Sequence, residues 1–479
     1  MAGRSMLKTI LAYLPALLGE RGFAILSIIV FTRMFSPEEY GRYALAISIV
    51  LLVDAFVVQW LRLSYLRFYA AAQKSGTLKQ LNATSFSMGA VIMISASAVS
   101  FFGIQIMDTD PAMKSILIAS IFYFAAGIPF KIIAAGARAS EKALVYGMMD
   151  VGRAFLGFLI AFLLVTFAQF DEEALLYGPA VGFILASIFG GVYLKPDISR
   201  DYSPILAKDM MSYGIPLISV FLLTQIMSIT DRICLDFFIG SAAVGLYAVG
   251  YNLGNHSMMM IYNAINLGVF PMLVKTFENA DKETIQKSFT EKVEIIMAIT
   301  LPASFGLWAA APNIAYVMTG EDFALEVAGI IPFITFAGLF TGMKLFLFDQ
   351  VFHLYKKSKQ QTLTLIPPVV ANVVLNIILI PMMGIQGAII ATLISSVIGL
   401  GFSAVMSRAI FTFPMPYMKI GKILFAAIIM WLSLNVFSFS HDIIGLIMMV
   451  MVGGVVYGSI AFALNVLNMR RIIFDHFKK

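Results

Sequence analysis

The sequence predicts an all-α integral membrane protein of about 14 transmembrane helices, laid out as two pseudo-symmetric six-helix lobes followed by two further helices. Three observations carry this. Of 479 residues, 60% are hydrophobic and only 13% are charged, about half the charged share of a soluble domain. The hydrophobic residues fall in runs of about 20 or more, the length needed to cross a bilayer as a helix. Two segments of the first half also recur, loosely, at offsets of 204 and 209 residues.

The charge deficit excludes a soluble enzyme, a disordered chain and a nucleic-acid binder, because so few charges cannot cover the surface of a soluble fold this long. A single cysteine, Cys234, leaves no disulfide framework and no thiolate metal site. The four histidines, His256, His353, His441 and His476, are far apart, so neither a metal nor another cofactor is expected. The apolar runs are too long, and alternate too little, for barrel strands.

The spans fall at 9–33, 40–61, 83–106, 113–137, 144–168, 174–194, 207–232, 242–271, 292–312, 325–352, 362–381, 386–408, 420–438 and 443–467. The first is too long for a signal peptide and lacks a cleavage site of small residues. Turn and charge signals separate the rest: Ser36-Pro37-Glu38-Glu39, Asp108-Thr109-Asp110-Pro111, Asp171-Glu172-Glu173, Lys195-Pro196-Asp197, 278–292, Lys356-Lys357-Ser358-Lys359 and Met415-Pro416. The tightest break is Pro381-Met382-Met383-Gly384.

Counted over alternate connections and both tails, 26 of the 33 lysines and arginines fall on one side. The opposite loops are acidic, at Asp108 and Asp110, 171–173, and Glu321-Asp322. The positive-inside rule then places both termini in the cytoplasm and makes the number of spans even.

The repeat aligns Gly41 with Gly245, Tyr43 with Tyr247 and Ala44 with Ala248, each at the start of the second span of its half. It also aligns Gly178, Ser187 and Gly190 with Gly387, Ser396 and Gly399, each in the sixth span. Internal symmetry of this kind marks transporter folds. Six helices per repeat give both halves the same orientation. The expected domains are 1–200 for helices 1–6, 201–412 for helices 7–12, and 413–479 for helices 13–14 and the tail.

The segment Phe35-Ser36-Pro37-Glu38-Glu39-Tyr40-Gly41-Arg42-Tyr43, preceded by Glu20-Arg21, resembles the start of bacterial polysaccharide flippases. Asp231-Arg232 with Gly245-Leu246-Tyr247, and the run from Asn376 to Ala388 around Pro381 and Gly384, are similar to later parts of the same family. In order and spacing, over nearly the whole chain, these resemble the Wzx-type flippases of the multidrug/oligosaccharidyl-lipid/polysaccharide exporter superfamily. The resemblance implies a two-lobed, V-shaped fold. It also implies export of undecaprenyl-pyrophosphate-linked oligosaccharide repeat units, such as those of O-antigen, across the inner membrane. The partners it implies are that lipid-linked oligosaccharide, the membrane lipids, a polysaccharide polymerase and a chain-length regulator, with no nucleic acid.

Charge within the spans is costly, so each such residue should face protein or a wet cavity. Arg21, mid-way along the first span, either faces a cavity and binds an anionic headgroup or forms a packing ion pair; Glu20 points elsewhere, since adjacent helical residues diverge by about 100°. Asp150 and Arg153 are three apart and can pair. Asp54 is alone and deep, within reach of Arg21 or Arg153 or suited to a proton relay. Lys344 and Asp349, five apart, should lie on different faces of a regular helix. Asn255 and His256 sit mid-span, where a histidine is more often packed than ligating. The expected substrate-binding set is Arg21, Arg153, Lys344, Asn255 and His256, with Glu20, Asp54, Asp150 and Asp349 as ion-coupling or charge-relay residues. Lys131 reads as a snorkelling anchor, and Asp231-Arg232 as a cap or gate.

The basic excess suits an anionic, phosphate-bearing cargo. No GxxxxGK[ST] loop occurs, so hydrolysis of ATP by this chain is not expected, and alternating access would draw on an ion gradient or the membrane potential. A cation-coupled drug exporter should carry cavity acids instead. A membrane polymerase or ligase should carry a long outer loop with converging groups.

Overall fold

The computed structural model describes residues 19, 21–197, 201–468 and 470. Among these residues there is no strand. Twelve helices are long and apolar enough to cross a membrane. A thirteenth candidate is a bent pair, Pro204–Leu217 with Phe221–Phe238. The described part of the first span, α1 (Arg21–Phe31), makes fourteen elements in the predicted order. Glu20 lies outside the described residues.

The chain continues with α2 (Pro37–Val57), α3 (Gln59–Ser75), α4 (Leu78–Ile106), α5 (Pro111–Ala139), α6 (Ala143–Ala168), α7 (Ala174–Leu194), α8 (Pro204–Gly214) and α9 (Ile218–Phe238). It goes on with α10 (Ser241–Asn279), α11 (Lys282–Ala309), α12 (Ala311–Met318) and α13 (Glu321–Met343), then α14 (Asp349–Leu354), α15 (Ser358–Leu363) and α16 (Ile366–Met383). It ends with α17 (Ile385–Arg408), α18 (Tyr417–Val436) and α19 (Ile443–Ala463).

The breaks read from sequence are helix caps. The Ser36 hydroxyl accepts from the Glu39 amide, and the Glu39 carboxylate accepts from the Ser36 amide at 2.7 Å, with Pro37 at the first helical position. Asp110 and Ser203 cap α5 and α8 by accepting from first-turn amides, each followed by proline. Asp442 caps α19 through the Gly445 amide. That amide and the Ser440 hydroxyl hold the Asp442 carboxyl below the usual carboxylate range. The tight break before α17 is a single residue, Gly384, at φ +59° and ψ −134°. This backbone is one that only glycine adopts without strain.

Packing divides the chain into two compact units, one of residues up to 236 with 240–245, the other of 237–239 with 246 onward. α8 and α9 group with the first unit: the Ser64 hydroxyl donates to the Met210 carbonyl at 2.8 Å, and Arg232 donates to Ser48. The boundary at 200/201 marks the sequence repeat and stays a proposal about symmetry. In the second unit α18 packs along α11, with Trp308 and Trp431 rings 4.7 Å apart and Lys419 paired to Glu294 at 2.7 Å.

The repeated glycines have a packing cause. A Cβ on Gly178 would meet Gly157 O and Ala161 N at 2.5 Å. Its counterpart Gly387 would meet the backbone of Leu379 and Ile380. In each half, therefore, the sixth helix of the repeat starts hard against the fifth. Gly41 and Gly245, both in the first unit, face one another, each 3.0 Å from the other's amide nitrogen once a Cβ is built. Gly157 and Gly182 also mark close helix contact, whereas Gly152 faces open space.

Candidate functional site

The first unit contains a polar cavity of about 320 Å³ enclosed by α2, α3, α5, α6 and α7. Its wall carries four cations, Arg62, Lys131, Arg138 and Arg153, and two carboxylates, Asp54 and Asp150. Helix geometry sets this up. On α6, Tyr146, Asp150 and Arg153 follow at intervals of four and three, so they share one face. On α5, Lys131 and Arg138 are seven apart, two turns, with Ala134 and Ala135 on the wall between them.

Within the cavity the cations differ. Arg153 Nη2 and Nε lie 2.8 and 2.9 Å from Asp150 Oδ1, and its guanidinium sits 5.3 and 5.2 Å from the Phe130 and Phe183 ring centres. Tyr146 donates to Asp150 Oδ2 at 3.3 Å. Lys131 pairs with Asp54. Arg138 donates to the Tyr146 hydroxyl and lies 4.1 Å over that ring. The Nε of Arg62 is buried with no hydrogen-bond partner among the described residues. Arg62 and Arg138 thus bring two positive charges that neither carboxylate takes up. Arg62 is half-buried and Arg138 exposed; together they attract a multiply charged anion, and guanidinium forks match phosphate oxygens.

Of the sequence-predicted residues, Arg153, Asp150 and Asp54 line this cavity. The Asp150–Arg153 pair forms as the three-residue spacing implied. Asp54 pairs with Lys131, not with Arg21 or Arg153, because α5 lays Lys131 inward instead of snorkelling it to the surface. Arg21 is half-buried on α1 and is not in the cavity wall. α1 packs on α6 through Phe23 with Phe155 and Phe31 with Phe158.

Lys344, Asp349, Asn255 and His256 belong to the second unit. Here one sequence expectation fails for a clear reason: Lys344 Nζ is 2.7 Å from Asp349 Oδ2, both side chains buried. Residues Lys344–Phe348 form a π-helical turn. That wider turn stacks residue i over i+5 and so brings onto one face two groups that a regular helix would separate. Ser403 donates to Asp349 Oδ1 and completes the cluster. Asn255 is half-buried and His256 exposed on α10. A second buried cation, Lys292 at 1% exposure, donates to Gln350 Oε1, whose Nε2 donates to Asn266 Oδ1 at 2.6 Å.

Arg62, Arg138 and Lys131 were assigned by sequence to connections or anchors. The signal that could have found them is the seven-residue spacing on α5 and the continuation of helix past 57 into α3.

These features define a polytopic membrane protein with a cationic cavity inside one helical unit. The comparisons with known proteins agree. Residues 30–328 match the family described as "Polysaccharide biosynthesis protein", and the chain belongs to that family. Among curated relatives, the probable flippase AglR of Haloferax volcanii is 22% identical over 361 residues, 71% of this chain and 72% of that one. The probable low-salt glycan biosynthesis flippase Agl15 of the same organism is 22% identical over 277 residues, 56% of each chain. Among solved structures, the lipid II flippase MurJ in its inward closed conformation has a TM-score of 0.77 at 15% identity, over 97% of this chain and 100% of that one. An inward-facing multidrug resistance MATE family transporter has a TM-score of 0.67 at 13% identity, over 82% and 95%. At these identities the structural likeness establishes the fold.

Proposed function

We propose that the protein translocates pyrophosphate-linked oligosaccharides on a polyprenyl carrier, undecaprenyl in the bacterial case, from the cytoplasmic to the outer leaflet of the plasma membrane. The observation that carries this is the cavity of Arg62, Lys131, Arg138 and Arg153 against only Asp54 and Asp150, lined by α3 and by the membrane-spanning α2, α5, α6 and α7. Arg62 and Arg138 take the pyrophosphate, and the paired Arg153 and Lys131 exchange their carboxylates for phosphate oxygens as the cargo enters. The relatives named as flippases support the cargo class. A drug exporter for cationic compounds would meet repulsion at this wall.

The movement is alternating access of the two lobes, as the inward- and outward-facing conformations of the MATE neighbours suggest, driven by an ion gradient or the membrane potential. Arg21, Lys344, Asn255 and His256 remain proposed substrate contacts, and Glu20, Asp54, Asp150 and Asp349 proposed relay groups. Both termini face the cytoplasm. Single cysteines at exposed Lys357 and Asp171, in a chain whose own Cys234 is buried, should react with impermeant reagent from opposite sides.

The test is transport in proteoliposomes of a fluorescent polyprenyl-pyrophosphate glycan, with binding of inorganic pyrophosphate measured in parallel. Arg62→Gln with Arg138→Gln should remove two charge-assisted contacts, each about 1.5–3 kcal/mol, and weaken pyrophosphate by at least about a hundredfold. Unchanged binding and unchanged transport in that double variant would remove the reading. In cells, loss of the gene should trap lipid-linked repeat units on the cytoplasmic leaflet.

A further inference from the structure

Beside the basic cavity lies a second, open-sided one, of about 250 Å³, lined by α2, α4 and α5. It is apolar, with Ile104, Leu117 and Ile121 in its wall. Val50 and Phe124 line both cavities, so the two are neighbours across one pair of side chains. They are displaced along the bundle. α5 contributes residues 117–124 to the apolar cavity and 123–138 to the basic one. The mid-points are about ten residues apart, about 15 Å at the helical rise. The apolar cavity lies toward the Asp108–Asp110 end of α4 and α5, away from the lysine-rich end.

We infer that this cavity is a binding site for the phosphate-proximal isoprenoid segment of the carrier lipid, the two cavities together forming one amphiphile site. The inference rests on the flippase reading and adds where the chain goes. Three observations select the occupant. The adjoining wall is cationic by two charges, which suits a diphosphate head over the single phosphodiester of a common phospholipid. A cavity of this size takes one chain, and a phospholipid brings two. The Ser97 hydroxyl, in the wall, is buried with no hydrogen-bond partner among the described residues. An unsaturated chain offers it a π-face as a weak acceptor, which a saturated acyl chain does not.

Gly103 makes the idea testable, because it is in the cavity wall and a Cβ there would meet nothing within 4 Å. A leucine Cβ meets no clash there, and the rest of the side chain is a bulk placed in the cavity wall. The experiment measures affinities of the purified full chain in nanodiscs for geranylgeranyl diphosphate and for inorganic pyrophosphate. A competition arm uses phosphatidylglycerol. Gly103→Leu should weaken geranylgeranyl diphosphate by at least about tenfold, since it displaces several buried carbons, and leave pyrophosphate unchanged. Ser97→Leu, on the same wall, should do the same. Arg138→Gln should weaken both ligands. If Gly103→Leu and Ser97→Leu leave the prenyl ligand unchanged while Arg138→Gln weakens both, the chain lies elsewhere and the flippase reading stands. If Arg138→Gln changes neither, the reading itself fails and the inference with it. Competition by phosphatidylglycerol equal to that of the prenyl ligand would make this a general lipid groove and overturn the assignment.

Discussion

The Lys344–Asp349 pair offers the sharpest test of how the second unit is built. Its atoms are 2.7 Å apart, with side-chain exposures of 6% and 1%, so solvent screening is slight. Asp349→Asn keeps the shape and a bond to Ser403 but strands the ammonium in an apolar interior. Losing one partner of a buried pair costs about 3–5 kcal/mol. Replacing both by apolar groups of similar volume, Lys344→Met with Asp349→Leu, should recover most of that loss, because neither charge then needs solvation. The assay is the thermal midpoint of the purified protein in one detergent, for wild type, the single variants Asp349→Asn and Lys344→Met, and the double variant. A large drop in each single variant with recovery in the double one is expected. Equal midpoints in all four would refute the buried pair, and with it the π-helical turn that aligns residues five apart. The same proteins address transport. A stable double variant that has lost transport would support substrate contact by Lys344, and one that still transports would confine Lys344 to packing.

Other outcomes follow from the same geometry. Gly182→Val should destabilise by about 1–3 kcal/mol or more through overpacking, since its Cβ would sit 2.5 Å from the Arg153 carbonyl oxygen; Gly191→Ala, which faces open space, should stay within about 0.5 kcal/mol, both read as midpoint shifts. Arg42→Ala should cost about 3 kcal/mol, because Glu172, 2.5 Å from Arg42 Nε and only 4% exposed, is left unpaired, and adding Glu172→Gln should restore part of it in a double-mutant cycle. The Asp442 carboxyl is held below its ordinary range, so its capping contribution is present above about pH 4 and fades as pH falls through the lowered folded value. Wild type should therefore exceed Asp442→Asn in thermal midpoint at pH 7, and the difference should shrink under acid.

The helical layout was legible because bilayer thickness imposes one length on every span, and because caps such as Ser36-Pro37 and Asp110-Pro111 are local chemistry. The Asp150–Arg153 pair was legible for the same reason, as three residues fix a shared face. Lys344–Asp349 was not, since a π-helical turn leaves no sequence mark and reverses the rule for residues five apart. Arg62 and Arg138 look like loop charges until α3 and α5 are seen to run on to Ser75 and Ala139. Lys292 was counted with the loop basics, although α11 starts ten residues earlier and buries it. The cavity joins residues more than a hundred positions apart, from Val50 to Phe183, and periodicity carries no information at that range.

The neighbours Asp349 and Gln350 have a mechanical consequence. One reaches Lys344 and Ser403, the other Lys292 and Asn266, so a single turn of α14 is moored to α10, α11 and α17 at once. Sliding or rotating any of those three past it would strip a polar group of its mate inside a greasy body, at a cost of at least about 1–3 kcal/mol per group. This quartet therefore travels as one block.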